Sequence, residues 1–199
     1  MARRKEFDRE EVLEKAMELF WYKGYEATSI NDLVKNMGIN RGSLYDTFGD
    51  KHSLFLAALD RYCNDSIAFK ELADSPQGIA AIGKFFSRLL EHYTNKKECK
   101  GCLMTNTLVE LALHDQDAAN KITTHLQQME DIFYQALIYS QKKGEIGPNC
   151  NLKALARYLT SSTNGLSVMA KAQPDIQVLE DIVNTTLSVL SNQSFQNKL

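Results

Sequence analysis

The chain has 199 residues, of which 44% are hydrophobic and 24% are charged, and its formal net charge is −2 at pH 7. This is the composition of an ordinary globular protein with a large core, and no apolar run approaches the roughly 18 residues of a membrane span. The negative charge argues against a non-specific architectural nucleic-acid binder, and a charged helix follows the basic N-terminus in place of an apolar signal region, so we expect a cytoplasmic protein with no membrane partner.

The first fifty residues predict three short helices with signals at both ends. The first helix, at residues 9–23, ends at Gly24. The second helix begins after Ser29 and ends at Gly38, and Asn40 caps the third. Apolar residues at helical spacing predict a small shared core. These core residues are Leu13, Met17, Phe20, Ile30, Leu33, Val34, Ile39, Leu44 and Phe48.

The second and third helices, with the turn between them, are typical of a helix-turn-helix. A glycine-containing turn between helices is common, so a generic three-helix unit with solvated polar residues is the alternative. The combined order of residue types is more specific, and it resembles the helix-turn-helix of the TetR family of bacterial repressors. The residues that carry the resemblance are Thr28, Ser29, Asp32, Leu33, Gly38, Ile39, Gly42, Ser43, Leu44, Tyr45, Phe48 and Lys51.

The resemblance implies that the partner is double-stranded DNA and that the third helix enters its major groove. Arg41 is the expected guanine contact, because its guanidinium fork can bridge O6 and N7. Gly42 would allow close approach to the DNA, whereas Asp46 departs from the family pattern and places an acid beside phosphates. The predicted DNA-binding residues are Thr28, Arg41, Gly42, Ser43, Tyr45, Thr47 and Lys51.

Helical periodicity continues from residue 51 to the end of the chain, with no strand-like alternation of useful length. We predict helices near residues 51–71, 77–94, 102–113, 117–143, 151–171 and 175–191, with breaks at Ser75-Pro76, Asn95 to Gly101, His114-Asp115, Gly144 to Asn149 and Gln173-Pro174. The expected fold class is therefore all-α, with about nine helices. Residues 1–50 would form a helix-turn-helix DNA-binding domain, and residues 51–199 an all-α effector-binding and dimerisation domain.

The last two predicted helices each carry an unusually apolar face. In TetR-like proteins the last long helix pair forms a four-helix bundle with its two-fold mate, so the resemblance implies a homodimer that reads a palindromic operator. An intramolecular core is the alternative for part of each face. The residues predicted at the dimer interface are Leu155, Leu159, Ser162, Leu166, Leu179, Ile182, Val183 and Leu187.

A pocket for a small organic effector is expected among helices four to eight. Methionine and aromatic side chains suit adaptable apolar pockets, although each candidate has a second interpretation as ordinary core. The candidate lining residues are Tyr62, Phe69, Phe86, Tyr93, Met104, Leu108, Met129, Phe133 and Asn164.

Cys99 and Cys102 form a CxxC pair. A zinc site needs four ligands and a thioredoxin-like enzyme needs a βαβ context, and neither is evident, so we predict no metal, no cofactor and no enzyme activity. A thiol sensor is another interpretation, because Cys102 begins a predicted helix near several lysines. The segment Gly101-Cys102-Leu103 also resembles one in TetR members that respond to quinones and other electrophiles. The alternative is that Cys102 is a small hydrophobic residue at the start of a buried helix.

These patterns together predict a DNA-binding transcriptional regulator. We expect a homodimeric repressor that a small-molecule effector releases from a palindromic operator. Oxidation or electrophile modification of Cys102 is the alternative mode of release. An all-α enzyme would require a nucleophile–base pair, a phosphate loop or a metal set, and the sequence offers none of them.

Overall fold

The computed structural model describes residues 7–74, 77–94, 99–172 and 174–191, and these residues form ten α-helices and no strand. The predicted all-α fold class is therefore confirmed. Not one of the ten helices combines the length and the apolar character that a membrane crossing requires. The helices are α1 (Arg9–Lys23), α2 (Ile30–Met37), α3 (Arg41–Phe48), α4 (Lys51–Asp65), α5 (Ile67–Asp74), α6 (Ile79–Thr94), α7 (Leu103–Leu111), α8 (Gln116–Lys142), α9 (Leu152–Lys171) and α10 (Ile176–Ser191).

The predicted caps of α2 and α3 are present. The Ser29 hydroxyl accepts the Asp32 amide at 3.1 Å, and the Asp32 carboxylate accepts the Ser29 amide at 3.0 Å, which completes a reciprocal capping box. Gly38 follows α2 with a φ of 72°, a left-handed conformation that glycine adopts without strain. Asn40 then caps α3 by accepting the Ser43 amide at 2.8 Å. Local hydrogen bonds thus fix where the second and third helices start.

The prediction of one helix at residues 51–71 is wrong. Helix α4 ends at Asp65, and a separate helix α5 begins after Ser66, whose carbonyl accepts the Lys70 amide at 3.2 Å. Asparagine, aspartate and serine in succession end α4, because their side chains compete for backbone hydrogen bonds. The other predicted helices after residue 51 agree with the structure to within two residues at each end.

Some predicted features lie outside the described residues. These are the break at Ser75-Pro76, the first part of the break at Asn95 to Gly101, and Gln173 of the last break.

The chain divides into two compact units. The first unit comprises Met1–Asp65 and Leu103–Ile122, and the second comprises Ser66–Cys102 and Thr123–Leu199. Helix α7 and the start of α8 therefore belong to the same unit as the helix-turn-helix. This division follows packing, whereas the predicted division at residue 50 concerns function and stays a prediction.

In the first unit, α1 packs against both α2 and α4. Phe20 of α1 meets Phe55 of α4 edge to face, with ring centroids 5.0 Å apart. Most of the predicted core residues are buried, and Ile30, Val34 and Ile39 are half-buried. This core holds α3 from behind, so the opposite face of α3 is left for solvent.

In the second unit, α6 packs against α5, α9 and α10. Phe85, Phe86 and Phe133 lie at the centre of this core, and each is at most 2% exposed. Phe85 contacts both other rings edge to face, at centroid distances of 5.5 and 5.3 Å. Such aromatic pairs add to the stabilisation that burial alone provides.

Candidate nucleic-acid interface

Helix α3 has one buried and one exposed face. Leu44 and Phe48 are buried in the core of the first unit. The exposed residues lie at positions i, i+1, i+4 and i+5, which share one side of a helix. We call them the α3 face: Arg41, Gly42, Tyr45 and Asp46. Three of the predicted DNA-binding residues are in this group, and Ser43 is half-buried beside them.

Arg41 is held in place by a neighbour that was not predicted from the sequence. Its Nη2 donates to Oδ1 of Asn31 in α2 at 2.8 Å, and both residues are exposed. A guanidinium has five N–H donors, so this bond leaves enough of them for a bidentate contact. Asn31 therefore orients Arg41 and leaves its outer edge accessible.

Gly42 has little protein around it. A Cβ atom built on Gly42 would meet only Oδ1 of Asn40, at 3.3 Å. Packing within the protein therefore accounts only in part for the presence of glycine at this position. A side chain here would crowd one atom, the Asn40 oxygen that caps α3, and no other atom of the described residues. The absence of a side chain leaves open surface in the middle of the α3 face.

Neither of the two threonines predicted to contact DNA presents its hydroxyl freely. Thr28 is fully buried, and its hydroxyl donates to the Gly24 carbonyl at 2.6 Å. The prediction that Thr28 binds DNA is therefore corrected for its side chain, because this hydroxyl fixes the turn after α1. The Thr47 hydroxyl is also buried, and it has no hydrogen-bond partner within the described part of the chain.

Lys51 begins α4 and lies against an aromatic ring. Its ammonium nitrogen is 4.2 Å from the centroid of the Tyr25 ring, a cation–π contact. Burial, followed by the nearby charge of Asp115, raises the pKa of the Tyr25 phenol, so this ring is uncharged at neutral pH. Lys51 is thus positioned at a helix N-terminus, where backbone amides favour phosphate.

Two carboxylates stabilise the helix starts around the α3 face. Lys23, 3.0 Å away, and then the Ser29 amide lower the pKa of Asp32 to about 2. The Ser53 amide donates to Asp50 at 2.6 Å and lowers the pKa of that carboxyl group. Both acids therefore remain ionised at neutral pH and stabilise α2 and α4 at their N-termini.

The nine predicted pocket residues do not all lie in one unit. Tyr62, Met104 and Leu108 belong to the first unit, where the Tyr62 ring packs on Trp21 at 5.0 Å. The other six belong to the second unit, and four of them are buried in its core. Those four are Phe86, Tyr93, Met129 and Phe133. In this structure these four residues are therefore core residues, which agrees with the alternative interpretation of the candidates.

Phe69 is the half-buried member of the aromatic group in the second unit. It packs on Phe85 at 5.0 Å and on His125 at 5.6 Å. Burial lowers the pKa of His125, which favours the neutral imidazole. Asn164, the remaining candidate, donates to the Thr160 carbonyl at 2.8 Å. Phe85 and His125 were not predicted, because a single aromatic residue on a helical pattern carries no signal that separates pocket from core.

A cavity of about 300 Å³ opens between α5 and α6. Leu72 and Phe85 contribute its apolar wall, and Glu71 lies at its edge in ion pairs with Arg88 at 2.8 Å and Lys84 at 3.3 Å. None of the nine predicted pocket residues lines this cavity.

Each of the four cysteines carries a thiol and not a disulfide, and each is half-buried. Cys99 and Cys102 lie close enough to Tyr93 that their charges, after the larger effect of burial, raise the pKa of its phenol. The hydroxyl of Ser167 forms a hydrogen bond with the same phenol. The structure thus places the CxxC pair beside a buried tyrosine. Of the lysines that favour a thiolate in the sensor interpretation, Lys96 and Lys97 lie outside the described residues.

Most of the predicted dimer-interface residues are core residues of a single chain. Leu155, Leu159, Leu166, Leu179 and Val183 are each at most 8% exposed and belong to the core of the second unit, so their assignment to the interface is corrected. Periodicity identified the buried face of each helix, and that face is already covered within one chain. Ile182 and Leu187 pack against the same core, and Ser162 is half-buried.

The opposite face of α9 is exposed and carries small and apolar residues. Its members lie at i, i+3, i+7 and i+10, on one side of the helix. We call it the α9 stripe: Tyr158, Ser161, Gly165 and Val168. Val168 is 52% exposed, and Val178 of α10 is exposed as well.

Comparison with known proteins gives the family of the chain. The family model of bacterial regulatory proteins of the tetR family matches residues 12–58, and the model of the tetracyclin repressor-like C-terminal domain matches residues 78–186. The transcriptional regulator YezE of Bacillus subtilis (strain 168) is 38% identical over 193 residues, which cover 96% of this chain and 100% of that protein. The transcriptional repressor ComR of Escherichia coli (strain K12) is 36% identical over 188 residues, covering 93% of this chain and 90% of that protein.

A solved structure agrees with these matches. A cysteine mutant of the TetR family regulator CifR, complexed with 26-bp double-strand operator DNA, superposes with a TM-score of 0.81 at 25% identity, over 94% of this chain and 98% of that chain. The helix-turn-helix geometry, the two family models and the relatives agree, and the chain therefore belongs to the tetR family of bacterial regulatory proteins, as a DNA-binding transcriptional regulator.

Proposed function

We propose that this protein is a homodimeric repressor that binds a palindromic operator through its two α3 faces and is released by a small organic effector. The observation that carries the proposal is the α3 face, where Arg41 and Tyr45 are exposed around an open glycine. Its Leu44 and Phe48 side is buried, so this helix has one face available for a partner. Two relatives support the same function, because ComR is a transcriptional repressor and the CifR mutant is bound to operator DNA.

In this proposal the DNA contacts divide into two kinds. Arg41, with Gly42 and Ser43 beside it, reads base edges, because an arginine fork matches the two acceptors of guanine. Tyr45 and Lys51 contact the phosphate backbone, which fixes register and not sequence, whereas the buried Thr47 hydroxyl makes no such contact in this proposal. Residues 1–50, together with Lys51, supply the DNA-binding surface, and the rest of residues 51–199 supplies the effector site and the dimer contacts.

The α9 stripe supports the homodimer. Ser161 and Gly165 allow close approach of a second helix, and Val168 supplies apolar area beside them. Two-fold pairing through this stripe would present two α3 faces, one for each half-site of a palindrome. The proposed interface therefore lies on the exposed side of α9, opposite the buried leucines.

The effector site is proposed for the helical region matched by the C-terminal family model. The aromatic group of Phe69, Phe85 and His125, with a half-buried edge, offers an apolar surface for an uncharged organic molecule. To move an operator-bound population from 99% to 1%, the effector must favour the non-binding state by about 5.5 kcal/mol.

Operator binding is tested with the full-length protein and its own upstream DNA, in the presence of excess random duplex. Arg41→Ala and Tyr45→Ala should each lower the affinity for the upstream DNA and leave the circular dichroism spectrum unchanged. Arg157→Ala and Tyr22→Ala are matched controls, since both residues are exposed and lie off the α3 face. Equal affinity of the wild type for upstream and random DNA would contradict the proposal.

A thiol switch is the second proposed mode of release. It is favoured by one observation: Cys99 and Cys102 are free, half-buried and grouped with Tyr93. A quinone would add to Cys102: the thiol loses its proton to solvent, the thiolate forms a C–S bond to a ring carbon, the C=C π bond of the quinone breaks, and the adduct takes up a proton from solvent. Specific binding that disappears on treatment with an electrophile, and persists in Cys102→Ser, would support this mode. If the wild type still binds its operator after electrophile treatment, the thiol switch is excluded and release by a reversibly bound effector stands.

A further inference from the structure

Glu110 of α7 contacts the turn between α1 and α2, although it is 85 residues from Tyr25 in the sequence. Its carboxylate oxygens accept two successive backbone amides, from Tyr25 at 3.1 Å and from Glu26 at 2.8 Å. Successive amides of this kind form a concave anion-binding nest, and here a side chain of the same protein fills it. Hydrogen bonds to a carboxylate are stronger than those between neutral groups.

The backbone at this turn is shaped for the contact. A Cβ atom on Gly24 would lie 2.9 Å from a carboxylate oxygen of Glu110, and Gly24 has a φ of 85°. Any other residue would therefore be strained in its backbone and would displace the carboxylate. Glycine at position 24 both ends α1 and admits Glu110.

A second carboxylate makes a parallel contact with the start of α4. Oδ2 of Asp115 lies 2.9 Å from Nε2 of His52, and its Oδ1 accepts the Ala118 amide at 2.9 Å as the cap of α8. The ligand atoms of His52, Asp115 and Asp117 lie within 4.8 Å of one another, a spacing that would suit a metal ion. Both oxygens of Asp115 are already engaged, so the helix cap and the histidine pair account for this cluster.

We call Glu110 and Asp115 the carboxylate clamp. Glu110 holds the backbone of Tyr25, and the Tyr25 ring is the surface on which the Lys51 ammonium rests, 4.2 Å from the ring centroid. Asp115 holds His52, the next residue along the chain. One carboxylate therefore holds the residue whose ring Lys51 rests on, and the other holds the residue that follows Lys51 in the chain.

We propose that the carboxylate clamp positions Lys51 for its phosphate contact, and that Glu110 is a positioning residue for DNA binding. This inference rests on the proposed function. The clamp residues lie within residues 78–186 of the C-terminal family match, whereas Tyr25, Lys51 and His52 lie within residues 12–58 of the N-terminal match. The clamp is thus a non-covalent link between the two matched regions, in addition to the chain that runs through α4.

A merely structural role for Glu110 has a different signature. If Glu110 only satisfies two amides, its loss lowers the melting temperature and leaves DNA affinity unchanged in the folded protein. If it positions Lys51, its loss also removes a phosphate contact, which lowers the salt dependence of binding. Each lost phosphate contact reduces the slope of log K against log salt by about 0.9 per subunit.

The test measures operator affinity and its salt slope for full-length Glu110→Ala, Glu110→Gln, Lys51→Ala and the double variant, at a temperature where each is folded. We expect Glu110→Ala to lower affinity roughly tenfold and to reduce the slope by the amount that Lys51→Ala does. The double variant should lose little more than either single variant. Glu110→Gln should fall between wild type and Glu110→Ala, because its amide keeps one acceptor oxygen. Should Glu110→Ala not fold, Glu110→Gln alone supplies the comparison.

Glu130→Gln is the matched control, since Glu130 is a partly buried carboxylate that pairs with Arg157 at 3.2 Å in the second unit. It should leave the salt slope at the wild-type value. A wild-type slope in Glu110→Ala, or additive losses in the double variant, would overturn the inference while the proposed function stands. A wild type that does not prefer its upstream DNA to random duplex would overturn both.

Discussion

Helices α3 and α9 bury leucines on one face and expose the other, yet their exposed faces differ in chemistry. The α3 face carries a cation, a phenol and an acid around Gly42. The α9 stripe carries serine, glycine and valine with one tyrosine and no charge. A charged, hydrogen-bonding surface suits a nucleic acid, whereas a small and apolar one suits close packing of another helix. The exposed face therefore indicates the kind of partner, while the buried face indicates only the fold.

A charge placed on the α9 stripe tests most directly whether this stripe pairs with a second helix. We expect Val168→Glu to yield a monomer of 22.5 kDa and to lower operator affinity by at least about 1000-fold, to the level of non-specific binding. The reason is that each monomer reads one half-site, and a buried unpaired carboxylate strongly disfavours association. Light scattering after size exclusion measures the mass, and DNA titration measures the affinity.

Leu113→Glu is the control for this variant, because Leu113 is an exposed leucine outside the α9 stripe. It should remain dimeric. A Val168→Glu protein that is still a dimer would show that the subunits meet elsewhere.

The open glycine of the α3 face provides a second test. We expect Gly42→Ala to lower operator affinity roughly tenfold, because a methyl group would stand between the helix and the base edges. Alanine favours helix over glycine by up to about 1 kcal/mol, but its Cβ would lie 3.3 Å from the Asn40 oxygen that caps α3, so we expect the free energy of unfolding to rise by less than this amount. The two quantities are measured by DNA titration and by urea unfolding.

Gly83 of α6 is a matched helical glycine, and a Cβ atom there would meet nothing within 4 Å. Gly83→Ala should therefore stabilise the protein and leave operator affinity unchanged. An affinity loss equal to that of Gly42→Ala would mean that the loss does not arise at the α3 face.

The acid on the α3 face should oppose DNA binding. We expect Asp46→Asn to strengthen binding to operator and to random duplex alike, by a few-fold at low salt and less at high salt, because a repulsion from phosphates is screened by ions. Glu91→Gln, an exposed acid of α6, should have no such effect. A gain for the operator alone would instead indicate that Asp46 takes part in base readout.

The smallest expected effect concerns the capping box behind the α3 face. The pKa of Asp32 is lowered from 3.8 to about 2, so its stabilising contribution is complete above pH 3.8 and is lost as the pH falls through about 2. An NMR titration of the Asp32 carboxyl group should show this low midpoint, and Lys23→Met should raise it. A midpoint at 3.8 in the wild type would contradict the role of Lys23.

The features that followed from sequence are those with local causes. Ser29, Gly38 and Asn40 predicted the ends of α2 and α3, because each cap is made within a few residues of itself. The apolar period likewise predicted the buried face of α9. The apolar period does not determine whether that face is covered by a second chain or by the same chain. In the structure, the core of the same unit covers Leu159 and Leu166.

Features with distant causes were not predicted. Ser66 divides two helices within a continuous apolar pattern, where the propensities of its neighbours outweigh periodicity. Asn31 orients Arg41 across the turn, and Glu110 reaches the Tyr25 amide 85 residues away. An exposed asparagine or a glutamate within a helix gives no sign of the contact it makes. The lining of the proposed effector site was likewise not predictable from single residues on a helical pattern.

The carboxylate clamp has a consequence for grafting the DNA-binding helices of one family member onto another. A graft cut between residues 58 and 78 would carry the Tyr25 and Glu26 amides into a new host but leave Glu110 behind. Two amides would then lose their acceptor in any recipient that lacks a carboxylate at that place on α7. We expect chimeras that carry both Gly24 and Glu110 to retain operator specificity better than those that carry only one, so the segment to be grafted together would be larger than the helix-turn-helix.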